Sequence, residues 1–199
     1  VLTAEEIDRI IATVDRSKAE GQRNRAILET LYSCGLRVSE LVNLKLSDLY
    51  FDEGFIKVEG KGNKQRLIPI SPRAINEIKL YFTDRNQIEV KSGHEDFVFI
   101  SLRRGKRLSR IMIFHMIKEL AQQASITKNI SPHTFRHSFA THLLEGGANL
   151  RAIQCMLGHE SIATTEIYTH IDRNMLRSEI IEHHPRNIKY RKEKEELFH

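Results

Sequence analysis

Cysteine is almost missing from this chain. Cys34 and Cys155 stand alone, with no CxxC pair, which argues against a disulfide framework and for a reducing compartment. No run of residues is long and apolar enough to span a membrane, and no signal peptide opens the chain, so a membrane partner is not expected. Internal repeats are absent as well. The glycine-rich stretch GKGNK lacks the GxxxxGK[ST] spacing and a helix directly after it, which excludes a Walker-type phosphate loop. An initiator Met is also missing from the start, VLTAEEID, and the expectation is an excised domain.

What is present suits one compact unit or two small ones. The 199 residues are 40% hydrophobic and 29% charged, with 31 Lys+Arg against 26 Asp+Glu and a formal charge of +5. That length buries a real core, and that charge permits a polyanionic partner.

The chain is organised around the stretch from Ser131 to Tyr168. Ser131-Pro132 is a helix-start signal, and Phe135, Phe139 and Leu143 then recur at core-facing spacing. His133 and Arg136 lie at i and i+3, one above the other. Gly146-Gly147 stops that helix, Asn149 caps the next, and Gly158 ends it just before His159. Ser161 caps a further short helix carrying Tyr168. Cations, imidazoles and a phenol gathered by tight turns suit a phosphodiester attacked by tyrosine. Arginine meets the charge on non-bridging oxygens with a planar pair of donors, and a tyrosine of pKa about 10 needs a base or cationic pocket beside it. Taken singly, each residue reads better as an ordinary cap, surface charge or half-buried ring.

Upstream, Thr3-Ala4-Glu5-Glu6 is a capping box before Ile7, Ile10, Ile11 and Val14. A second helix carries Ala26, Ile27, Leu28, Leu31 and Tyr32 and ends near Gly35. Arg37 is wedged between that end and a short helix over about Val38 to Leu44, where it can point into a cleft. Periodicity then changes to three short antiparallel strands, near 49–51, 55–58 and 65–70, joined by glycine turns. Lys61, Lys64 and Arg66 are expected to project from the second hairpin's tip. Ser71-Pro72 opens another helix with Ile75, Ile78, Tyr81 and Phe82 inward, and a polar stretch leads to an apolar run, Phe97 to Ile100. The basic run Arg103, Arg104, Lys106 and Arg107, with Arg110 beyond it, precedes a helix capped by Ser109. Such a run is either a solvated loop or a set of phosphate contacts. A last helix, capped by Asp172, carries Leu176 and Ile180, Pro185 ends it, and the residues beyond are too polar to pack by themselves. His137, His142 and His170 read as structural, and both cysteines as small buried residues.

The run HTFRHSFATHLLEGGANLRAIQCMLGHESIATTEIYTH, with GLRVSELVNL and GKGNKQRLIPI ahead of it, resembles the catalytic domain of tyrosine recombinases, most of all the Xer type that resolves chromosome dimers. The resemblance implies a mainly α domain with a small three-stranded antiparallel sheet over residues 1–185, a polar tail over 186–199, and an N-terminal core-binding domain lying outside this chain. It also assigns roles. Tyr168 would attack DNA and form a 3′-phosphotyrosyl bond, while Arg37, Arg136 and His159 hold the non-bridging oxygens. His133 would take the tyrosine proton, and Lys61 would protonate the leaving 5′-oxygen. Lys64, Arg66, Arg103, Arg104, Lys106 and Arg107 become candidate DNA contacts. No metal or other cofactor is implied. The implied partners are double-stranded DNA, a homo- or hetero-tetramer with a related recombinase, and a septal DNA translocase, in a cytoplasmic, nucleoid-associated setting. Within the class, a phage or integron-type integrase or a type IB topoisomerase is the alternative. From other classes come a non-cleaving DNA-binding module and a zinc hydrolase using His133, His137 and His142. Against the latter, Thr134 stands where HExxH carries its glutamate.

Overall fold

A computed structural model describes residues 1–158 and 173–197. His159 and Tyr168, with Ser161, His170 and Asp172, lie outside the described residues. The chain opens with α1 (Ala4–Ala12), whose capping box is made as expected: the Thr3 hydroxyl accepts from the Glu6 amide and the Glu6 carboxylate accepts from the Thr3 amide. The central element is α2 (Gly21–Cys34), buried along most of its length and packed against α4 (Pro72–Arg85) and α6 (Pro132–Glu145). Phe135 and Phe139 of α6 are fully buried in that core, and burial of a side chain this size contributes up to about 3 kcal/mol relative to exposure.

Gly35 ends α2 in the left-handed region at φ 66°, where a Cβ would come within 2.4 Å of the Phe139 ring. The chain can therefore turn sharply at this point into the short α3 (Val38–Val42). Three strands follow, β1 (Leu49–Tyr50), β2 (Phe55–Glu59) and β3 (Gln65–Pro69), in antiparallel order 1-2-3. Phe55 pairs with Pro69 and Glu59 with Gln65, so the second hairpin closes over a tip at 60–64. Buried Ile56 and Val58 of β2 and Ile68 of β3 join the common core.

The run from Phe97 to Ile100 makes only isolated bridges, Lys45 with Phe97 and Ile100 with Arg107. Ser109 caps α5 (Arg110–Gln123). Asn149 caps α7 (Leu150–Leu157), and Gly158 ends it at φ 70°. The two final helices are α8 (Arg173–His183) and α9 (Pro185–Leu197). Leu176 and Ile180 are buried in this chain's own core.

The segment expected as a polar tail is helical through Leu197. Pro185 starts a helix as well as following one, because proline suits the first helical position. Helix α9 docks through charge instead of an apolar stripe. Arg186, 5% exposed, donates to Asp8 of α1 at 2.7 Å and pairs with buried Glu29 of α2. Arg73 pairs with Glu29 as well, and its guanidinium stands 5.6 Å from the Tyr190 ring centroid.

Candidate active site

Three of the expected residues meet in one cavity of about 540 Å³. Arg37 enters from the α2–α3 turn, and His133 and Arg136 from the first turns of α6. The lining also includes Ser39, Arg110 and Ser131, with Ile111 and Phe114 as an apolar side. The first turns of α3, α5 and α6 thus all contribute to this wall, and helix N-termini favour an anion. A larger cleft of about 930 Å³ runs between the N-terminus and α9, but it holds none of the candidate catalytic residues.

Arg136 is 7% exposed and spans two carbonyls. It donates from Nη1 to Gly35 and from Nη2 to Leu157, each at 2.7 Å. One guanidinium therefore ties the end of α2 to the end of α7. Burial, together with the nearby charges of Arg37 and Arg66, lowers its pKa to about 10, with Glu40 opposing that shift. It remains a cation at neutral pH.

Glu40, buried and outside the cavity lining, braces Arg37 and is not among the residues the sequence singles out. Its Oε1 accepts the Arg37 amide at 2.9 Å, and its Oε2 lies 3.5 Å from the Arg37 guanidinium. Burial alone would push this carboxyl up, but bonds and charge from Arg66 and Arg37 overcome it and hold the carboxyl below its ordinary range. The signal was available: Glu40 stands three residues after Arg37, the spacing of a side chain reaching back to a helix-start amide. One carboxylate among Arg37, Arg66 and Arg136 leaves positive charge in excess, which is what a phosphodiester requires.

The remaining expected residues fall elsewhere. Lys61 and Lys64 sit at the exposed hairpin tip, outside the lining of the cavity. Arg66 does not project from the tip as expected. Its side chain is 10% exposed and faces inward against Glu40, because a buried carboxylate and the helix-end Met156 carbonyl offer partners that the solvent side lacks. Arg103, Arg104, Lys106 and Arg107 form an exposed turn before α5. His159 and Tyr168 lie outside the described residues. His142 is structural: Nε2 donates to the Leu2 carbonyl, so Nδ1 accepts from the Tyr32 hydroxyl. His137, by contrast, is exposed. Cys34 and Cys155 are buried, and burial raises the Cys34 thiol to about 12. Among the described residues, no group of three or more His, Cys, Asp or Glu could hold a metal ion. Nor is any helix among them long and apolar enough to cross a membrane.

A mainly helical domain, with a three-stranded antiparallel sheet and a cavity lined by three arginines and a histidine, has the architecture of tyrosine recombinase catalytic domains. The chain belongs to the phage integrase family, whose model matches residues 1–175. Among curated relatives, tyrosine recombinase XerD of Staphylococcus saprophyticus is 46% identical over 187 residues, covering 94% of this chain and 63% of that protein. XerD of Halalkalibacterium halodurans is 45% identical, covering 93% and 62%. The chain therefore spans a little under two thirds of the length of these relatives. Among solved structures, XerA recombinase matches with a TM-score of 0.72 at 37% identity, over 92% of this chain and 63% of that one. The XerH site-specific recombinase bound to its difH substrate, in a pre-cleavage complex, matches with a TM-score of 0.70 at 28% identity, over 85% and 50%.

Proposed function

We propose that this chain is the catalytic part of a Xer-like site-specific tyrosine recombinase, which cuts and rejoins double-stranded DNA. The observation that carries this reading is the meeting of Arg37, His133 and buried Arg136 in one cavity with excess positive charge. Tyr168 Oη attacks the phosphorus, the bond from phosphorus to the 5′-oxygen breaks, and a 3′-phosphotyrosyl link forms. The phenol proton passes to His133, and the leaving 5′-oxygen takes a proton from Lys61. Arg37, Arg136 and His159 offset charge on the non-bridging oxygens, a contribution whose loss typically costs ~100- to 1000-fold. Because the phosphotyrosine keeps the bond energy, a 5′-hydroxyl from a second duplex can reseal it without nucleotide or metal. The biological setting we propose is chromosome dimer resolution by a tetramer with a related recombinase, under a septal DNA translocase and close to the nucleoid.

Covalent trapping tests the chemistry. A nicked palindromic duplex lets the cleaved fragment diffuse away, so the phosphotyrosyl adduct accumulates. The unsubstituted chain is expected to give a protease-sensitive adduct on denaturing gels. Tyr168→Phe is expected to give none while keeping its DNA affinity, since only the reacting oxygen is removed. Adduct from Tyr168→Phe would show that another residue attacks. DNA binding without adduct from the unsubstituted chain would favour a module that binds and does not cut.

A further inference from the structure

Arg66 lies on β3, opposite Val58, at the base of the hairpin whose tip carries Lys61. Its planar donor set is directed into the protein. Nη1 donates to Glu40 Oε2 at 2.6 Å, Nη2 to Glu40 Oε1 at 3.1 Å, and Nε to the Met156 carbonyl at 3.0 Å. Two glycines make room for it. A Cβ at Gly60 would come within 3.1 Å of Nη1, and one at Gly158 within 2.9 Å of Nε.

Each neighbour leads to a different part of the site. Glu40 holds Arg37, Gly60 precedes Lys61, and Gly158 precedes His159 in sequence. A single guanidinium thus crosses the strand, the helix end and the carboxylate from which those three residues depart. Lysine, a point charge without a fork, cannot make this set of bonds.

We propose that Arg66 is a positioning residue that fixes the base of the hairpin, so that Lys61 meets the leaving 5′-oxygen. It acts through Lys61 and does not contact DNA. This assignment rests on the recombinase reading above and adds to it the residue that sets where the acid stands.

The test uses Arg66→Gln and Arg66→Lys in the full chain, with two readouts. Amide hydrogen exchange needs no DNA. Exchange at Gly60 to Lys64 should rise roughly tenfold in Arg66→Gln and less in Arg66→Lys, with α2 amides unchanged. The second readout is adduct formation on the nicked duplex, with either oxygen or sulfur as the bridging 5′ atom. A thiolate leaves without needing a proton, so sulfur removes the demand for an acid. Displacing a catalytic group by about 1 Å can cost ~100-fold. Arg66→Gln should be slowed to that extent on oxygen. On sulfur it should return to within about threefold of the unsubstituted chain, and Lys61→Ala/Arg66→Gln should be no slower than Lys61→Ala, as for residues acting as a unit.

Equal losses on both duplexes, additive defects in the double variant, or unchanged hairpin exchange would each overturn the assignment. So would a salt slope of DNA binding flattened by about one, the mark of a lost phosphate contact. If Arg66→Gln does not fold, Arg66→Lys carries the same comparison, and full speed on oxygen overturns the proposal. Adduct from the unsubstituted chain together with equal losses removes the Arg66 role alone. No adduct from the unsubstituted chain on either duplex removes the recombinase reading and this assignment with it.

Discussion

Arg37 and Arg136 are both guanidiniums in one cavity, yet their surroundings predict different costs on removal. Arg136 supplies the donors for two carbonyls at element ends, Gly35 and Leu157. Truncation to alanine leaves both without that partner, at about 1–3 kcal/mol for each buried group. The Arg37 side chain is 41% exposed, and among the described residues its guanidinium forms a 3.5 Å ion pair with Glu40, the sort of partly solvated contact that contributes about 1 kcal/mol or less. Glu40 keeps Arg66 when the Arg37 side chain is cut back. Arg136→Ala should therefore lose both covalent DNA attachment and several degrees of melting temperature. Arg37→Ala should lose attachment by ~100-fold or more while melting almost unchanged. Parallel thermal melts and trapping assays check this, and equal melting losses would contradict the partition of roles.

At the scale of elements, the helices were legible wherever local chemistry set their ends. Thr3, Ser71, Ser109 and Asn149 each cap the helix they announce, because capping needs only a short polar side chain and the next few amides. Helix α9 was not legible. Arg186 finds its carboxylates 178 and 157 residues away, at Asp8 and Glu29, and no periodicity within the segment carries that information. The inward turn of Arg66 was hidden for the same reason. The α8–α9 junction offers a test of this docking. His184 is 1% exposed, donates from Nε2 to the Tyr32 carbonyl and accepts the Arg186 amide at Nδ1. Burial, aided by the charge of Arg186, lowers its pKa to about 4. Folded His184 is therefore neutral, whereas the unfolded chain protonates it below its ordinary pKa of about 6.5. The stability it contributes is present above that pH and is lost as the pH falls toward 4, by up to about 3 kcal/mol. His184→Gln cannot titrate, so the stability advantage of the unsubstituted chain over it should narrow between pH 7 and pH 4 in urea denaturation. A constant gap would mean that this ring is not held neutral.

For the whole molecule, a formal charge of +5 says little until its distribution is known. The turn before α5 gathers Arg103, Arg104, Lys106 and Arg107 on an ordered scaffold. The Ser101 amide donates to the Lys106 carbonyl at 2.7 Å, and the Gly105 amide donates to the Ser101 carbonyl at 2.8 Å. Gly105, at φ 67°, leaves only 2.4 Å between a Cβ and the Glu89 carbonyl oxygen, so glycine alone fits there. Arg107 is partly committed to the fold, bonded to Asn43 and 5.4 Å from the Phe97 ring centroid. If the other three cations each neutralise a DNA phosphate, each releases counterions and contributes ~0.9 to the slope of log affinity against log salt. Arg103→Ala/Arg104→Ala/Lys106→Ala should flatten that slope by about 3, equally on specific and random duplexes. Arg107→Ala should instead show mainly as a lower melting temperature, since its contacts lie within the protein. Filter binding across a salt series decides between phosphate contacts and a solvated turn: an unchanged slope in the triple variant would assign these cations to solvent.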